Sequence, residues 1–455
     1  NLSSFFGRAN YSYLNKYLLT ATFRADGSSK FSKENRWSYF PSVAVAWKIS
    51  EEGFLKEQSD WLDQWKLRVS YGSTGNDRIN SGMWALNYSS SNENKPYYPG
   101  EKEANQLIPG NALFNPALKW ETTINRNIGT DISLFKGKIN ATIDAYWNTT
   151  KDLLVQAPVS PNSGFQYQFQ NFGSTSNRGI ELSIDGYIIQ RKDFSLQGSF
   201  NIGFNKNKVD EFRNGDVNYK TYTSGWNGTA QPLDDYLVQQ GQPVGQMYGY
   251  ITEGMYGFND FNWNATTRKW DIASGVADNS GIISANYFGP GTLKFKDVNG
   301  DGFITAEDKV VLGNANPKHT GGFTLTGTYK AFDLSAAFNW TVGNKIYNAN
   351  KLDFSSYLLS RKYQNILGEM SLANRFTIID PVTGFNVATG ANGNPARLME
   401  LNQNASLWSP IMTQTPLHSW AVEDGSFLRL NTLTVGYTIP KKVSAKLGMS
   451  TLRFY

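Results

Sequence analysis

Strict alternation of apolar and polar side chains recurs along this chain in paired runs joined by very short turns. From Tyr17, the odd positions Tyr17, Leu19, Ala21, Phe23 and Ala25 are apolar, while Thr20, Thr22, Arg24 and Asp26 are polar or charged. The same split sets Ala141, Ile143, Ala145 and Trp147 against Asn140, Thr142, Asp144 and Tyr146, and Ile180, Leu182 and Ile184 against Glu181, Ser183 and Asp185. Phe194, Leu196, Phe200, Ile202 and Phe204 oppose Ser195, Gln197, Ser199, Asn201 and Asn205. Phe332, Leu334, Ala336, Phe338 and Trp340 oppose Asp333, Ser335, Asn339 and Thr341. A period of two predicts strands. Each run is about ten residues long, the length a tilted strand needs to cross a hydrocarbon core, and several end in Trp, Tyr or Phe.

The connections are asymmetric. Leu14-Asn15-Lys16, Phe135-Lys136-Gly137-Lys138, Gln190-Arg191-Lys192 and Lys330-Ala331 each join two strands almost directly. The opposite ends open into residues 26–35, 75–118, 151–174, 206–318 and 345–425. Short turns on one side and long loops on the other predict an all-β fold, a transmembrane antiparallel β-barrel with periplasmic turns and extracellular loops. About fifteen strands are expected, spread over residues 1–455 as one architecture. One connection on the short side is longer, residues 50–64, where Glu51, Glu52, Phe54, Leu55 and Trp61 suit a brief helix. The competing reading is a large soluble antiparallel β protein, whose strands are usually shorter.

Composition narrows the classes. No run is long and apolar enough for a helical span, which leaves a barrel open because only alternate residues of a strand meet lipid. The chain has no cysteine, so disulfides and thiolate metal sites are excluded. A formal charge of +5 with scattered Lys and Arg argues against nucleic-acid binding. The only histidines, His319 and His418, are far apart and sit beside strand ends or loops, where a surface or girdle role is expected rather than general-base work. No pairing of carboxylates or nucleophile with base stands out, and no enzymatic activity is expected.

The sharpest local motif is the run from Asp297 to Asp308, with sequence DVNGDGFITAED. Oxygens at loop positions one, three, five, seven, nine and twelve would come from Asp297, Asn299, Asp301, the Phe303 carbonyl, Thr305 and Asp308. Gly302 supplies the turn at position six, and Ile304 is placed to anchor the loop at position eight. The spacing fits a hard cation such as calcium, stiffening an external loop. Asp308 has a shorter reach than the usual Glu, the flanks are not helical, and runs rich in Asp, Asn and Gly also make ordinary solvated turns. Trp226, Tyr236, Tyr248, Tyr250, Tyr256, Trp263, Trp270, Trp408 and Trp420 crowd the long loops. They are expected to fold those loops on themselves, with stacking on a ligand as the alternative.

Several ordered segments resemble the SusC/RagA-type TonB-dependent transporters of Bacteroidota outer membranes: RADGSSKF (24–31), WKLRVSYGSTGND (65–77), NKNKV (205–209), GQPVGQMYGY (241–250), DVNGDGFITAED (297–308) and SFLRLNTLTVGYTIPKK (426–442). The resemblance implies a barrel of 22 strands, of which this chain holds the later part. The family's N-terminal plug, carboxypeptidase-like extension and TonB box have no counterpart here, and further strands are expected after Tyr455. It implies active import of oligosaccharides, peptides or similar nutrients across the outer membrane. The partners implied are outer-membrane lipid, a SusD-like surface lipoprotein as lid, and the TonB-ExbB-ExbD energy system acting through the plug, with dimers of transporter–lid pairs. Inward polar residues such as Arg24, Asp144, Glu181, Asp185 and Asn201 would line the lumen or meet the plug. A structural or assembly subunit of a larger envelope complex is the alternative, and a passive porin is the least expected.

Overall fold

Twelve strands pair in chain order into one antiparallel sheet. They are β1 (Leu2–Tyr13), β2 (Tyr17–Ser28), β3 (Trp37–Lys48), β4 (Leu62–Asn76), β5 (Glu121–Leu134), β6 (Ile139–Lys151), β7 (Ser174–Gln190), β8 (Phe194–Glu211), β9 (His319–Tyr329), β10 (Phe332–Val342), β11 (Phe427–Thr438) and β12 (Arg453–Phe454). This computed structural model describes residues 1–56, 60–91, 106–212, 217–226, 233–283, 287–356, 365–412 and 416–455. Among the described residues the wall therefore has fewer strands than the fifteen expected. Other stretches with strand character, among them Tyr236–Gln239, Gln246–Gly249 and Val310–Asn314, pair in separate small sheets within the long loops.

The hairpin turns follow from backbone geometry. Leu14 and Asn15 both take positive φ, as do Phe135, Lys136 and Gly137, and Lys330 does so alone at the β9–β10 turn. Left-handed steps match the right-handed twist of the flanking strands, so these connections stay short. The longer connection after β3 forms the expected brief helical segment, Ile49–Glu51 followed by Gly53–Lys56. Glu52 ties it to the first turn by accepting from Lys16 Nζ (3.0 Å), Tyr17 Oη (2.7 Å) and Trp47 Nε1 (3.1 Å). The bond from Tyr17, with those from Lys16 and Trp47, holds the Glu52 carboxyl down at about 2.

Register turns the alternation into two faces. One unbroken rung runs Trp65–Ile132–Ala141–Ile184–Phe200–Phe323–Phe338–Leu430 across eight strands. It points outward, and Phe323 and Phe338 stack with centroids 4.5 Å apart. One residue along each strand, the next rung reads Lys66–Asp131–Thr142–Ser183–Asn201–Gly322–Asn339–Arg429 and is polar at every position but Gly322. In β11 the phase shifts: Ala337 pairs with Thr432 but Phe338 with Leu430, so Asn431 is an extra residue. That bulge keeps Leu428 and Leu430 on the same exposed face as Leu433 and Val435.

Candidate functional site

The polar face carries hydrogen bonds and several ion pairs. Lys66 Nζ lies 2.7 Å from Asp131, and Arg68 bridges Asp131 (2.9 Å) and Asp144 (3.1 Å). Between them Gly129 carries no side chain, and a Cβ there would run into the Asp144 carboxylate and the Arg68 guanidinium. Asn140 donates to Asp185 (3.1 Å), and Tyr146 reaches across Gly179 to Asn205 (3.1 Å). Nearer the loop end, Arg24 donates to Asp26 at 2.8 and 2.6 Å beside a cavity of about 550 Å³ lined by Thr20, Thr22, Ser42, Ser70 and Asn125. Such a surface offers hydroxyl, amide and charged groups of both signs to a polar solute. Arg24, Asp144, Glu181, Asp185 and Asn201 share this face, as expected. Arg68 and Asp131 were missed, although Lys66, Arg68 and Ser70 alternate with Leu67, Val69 and Tyr71 in the same two-residue rhythm.

Above the wall, the two longest loops share one interior. Tyr256, Phe261, Trp270 and Tyr287 from residues 206–318 pack with Phe376, Ile378, Val387 and Leu398 from residues 345–425. A second cluster joins Tyr250, Ile283, Leu293, Phe295 and Ile304 to Met370, Trp408 and Met412. Tyr250 and Phe295 stack at 4.8 Å, and Trp408 meets Trp420 edge-on at 5.0 Å. Most of the loop aromatics thus hold the loops together, Trp226 and Tyr236 doing so through Tyr347.

The two histidines part company. His319 opens β9 near Phe204 and accepts from Trp340 Nε1 (3.1 Å), a girdle position. His418, expected at a surface or girdle, is instead fully buried between Trp408, Trp420 and Phe295. Trp420 lies two residues away, Trp408 ten and Phe295 on another loop, so sequence position alone gave no sign of this burial. Burial, with Lys351 nearby, pushes its imidazole down to about 3 and keeps it neutral. Its Nδ1 pairs with the Thr252 hydroxyl at 2.6 Å.

The loop from Asp297 to Asp308 docks on this interior through Ile304, which is 3% exposed. Asp297 accepts from the Gly300 and Gly302 N–H groups (2.6 and 2.9 Å), and Asn299 from Asp301 N–H (3.0 Å). Asp301 accepts from Phe303 N–H (2.8 Å), and buried Asp308 from Val298 and Thr305 N–H (both 2.8 Å). Gly300 and Gly302 take φ of 78° and 85°, which a β-carbon would strain. The Thr305 hydroxyl caps Glu307 N–H (3.2 Å), and the Phe303 ring is exposed. The carboxylates therefore close the turn through its backbone. Among the described residues no three His, Cys, Asp or Glu side chains gather closely enough to hold a metal ion.

A lipid-facing apolar wall around a polar, ion-paired interior defines an outer-membrane β-barrel. The chain matches the family model described as TonB dependent receptor-like, beta-barrel, over residues 1–349. It belongs to that family, in the SusC/RagA-type branch of outer-membrane receptors. TonB-dependent receptor P3 of Formosa agariphila is 32% identical over 454 residues, covering 100% of this chain and 40% of its own length. TonB-dependent receptor SusC of Bacteroides thetaiotaomicron is 31% identical, over 96% of this chain and 38% of its own. The solved RagAB peptide transporter superposes with a TM-score of 0.71 at 25% identity, over 99% of this chain and 43% of that one. The chain thus spans 38–40% of these two receptors' lengths.

Proposed function

We propose that these twelve strands form part of the wall of an energised importer that carries a polar oligomer, oligosaccharide or peptide, across the outer membrane. The observation that carries this reading is the polar inner face, with ion pairs such as Lys66–Asp131 and Arg68–Asp144, lying beneath loops fused into a common cover. Kinship with SusC and likeness to the RagAB peptide transporter support it. On this reading a SusD-like lipoprotein closes the loop side, TonB-ExbB-ExbD drives transport through a plug inside the barrel, and two transporter–lid pairs associate. Uptake of fluorescent oligosaccharide and peptide mixtures by cells with and without the whole receptor is the test. Loss of one class of uptake, reproduced when TonB is removed, is the expected result. Unchanged uptake with an altered envelope would instead identify an assembly subunit, and uptake indifferent to TonB a porin.

Calcium at the turn from Asp297 to Asp308 belongs to the same proposal, as a stiffener of the outer loops. An oxygen that accepts one N–H keeps a lone pair, so the set of Asp297, Asn299, Asp301, Asp308 and the Phe303 carbonyl retains acceptor capacity, with Thr305 beside it. In the full receptor, replacing Asp297 and Asp301 by Asn is expected to lower the loops' thermal stability in chelator, where a turn-closing N–H bond to Asp297 is lost, and to lower it further in calcium. A loss of the same size in calcium and in chelator, or none, would remove the ion.

A further inference from the structure

The outward face changes character abruptly at the loop end of β4–β8. One rung reads Val69–Ile128–Ala145–Ile180–Phe204, wholly apolar. Two residues further along, roughly 7 Å, Tyr71 pairs with Arg126, and Trp147 with Arg178, which pairs in turn with Lys206. Direct antiparallel partners and alternate residues share a face, so these cations point outward like the apolar residues beneath them. Arg178 and Lys206 are exposed, and Arg126 lies over the Tyr71 ring at 5.9 Å. None of the three makes an ion pair among the described residues. Beyond them, Asp210, the bulged residue of β8, lies 3.9 Å from Lys208, and Glu211 stands opposite Ser174. Trp147, Arg178, Ile180, Phe204 and Lys206 also line one groove of about 890 Å³, with Lys318 at its rim.

From this geometry we infer that the rim of β5–β8 binds the phosphorylated headgroup of an outer-leaflet lipid. The occupant follows from continuity and charge. The apolar rung takes acyl chains, and the long loops place the cations on the extracellular side. Unpaired guanidinium and ammonium groups then meet phosphate oxygens by charge-assisted hydrogen bonds. Trp147 and Tyr71 sit at the level where amphipathic rings favour the interface. The site is a property of the outer wall and stands whatever solute the lumen carries.

The test uses the whole receptor, delipidated in neutral detergent, and a dye-labelled phosphorylated diglucosamine lipid followed by fluorescence polarisation. Binding is expected to weaken by about tenfold or more when the phosphates are removed from the lipid or when Arg126, Arg178 and Lys206 are all changed to Gln. Arg191→Gln with Lys192→Gln, at the opposite rim, is expected to change it little, and inorganic phosphate is not expected to displace the lipid. Equal affinity for the dephosphorylated lipid would overturn the inference, and that comparison requires no variant. Displacement by inorganic phosphate, an unaffected triple variant, or equal loss at the opposite rim would overturn it too.

Discussion

Arginine in place of Ile143 or Phe200 is expected to destabilise the folded barrel in membranes by about 2–4 kcal/mol. Both side chains lie on the outward face of central strands, Ile143 42% and Phe200 37% exposed to what the bilayer would occupy. A charge there loses its hydration at the level of the acyl chains. Ser183→Arg supplies the control. Ser183 pairs with Thr142 and Asn201 on the polar face, so its replacement is expected to cost less than about 1 kcal/mol. Urea titrations of the receptor refolded into bilayers, followed by tryptophan fluorescence, measure the difference. Equal costs on the two faces would refute the facing of β6–β8.

Trp408→Ala is expected to cost the loop assembly about 3–5 kcal/mol, the range for emptying a buried indole site. Trp408 is 2% exposed and packs on His418 and Trp420 where the two longest loops meet. Those loops also hydrogen-bond directly: Tyr250 N–H to the Leu417 carbonyl and Ser419 N–H to the Tyr250 carbonyl, both at 2.9 Å. Hydrogen exchange at these two amides is expected to accelerate strongly in the variant, while the β8 amides of the wall keep their protection. Among the described residues these two loop clusters contain no wall residue, so the central wall keeps its packing. Parallel loss of protection in wall and loops would show them to be one cooperative unit.

How much of this was legible in the sequence depends on the range of the interactions. The wall was readable because an alternating strand needs only its own residues to declare a face. Residues 140–147 and 180–185 carry the same rhythm that the pairing of β6 with β7 displays. The rhythm changes phase where backbone geometry intervenes: in β11 the apolar positions pass from Leu428 and Leu430 to Leu433 and Val435, and the pairing shows Asn431 as the extra residue. The strand count failed for a related reason, since short β segments in a loop look like wall strands until their partners are seen. Ile304 was readable as an anchor from its place in a twelve-residue loop. His418 was not, because the rings around it come from segments more than a hundred residues apart as well as from close by. Long-range packing of irregular loops leaves little periodic trace.

The absence of cysteine from the chain permits the most direct test of the barrel wall, a single-cysteine scan of positions 141–148 in the full receptor in native outer membranes. Each thiol is probed with a water-soluble, membrane-impermeant reagent and with a lipid-soluble quencher of an attached fluorophore. Quenching from lipid at 141, 143, 145 and 147, with weak aqueous labelling there and the converse at 142, 144, 146 and 148, is the expected result. A profile without a two-residue period, or with the opposite phase, would contradict a membrane-spanning wall with its polar face inward.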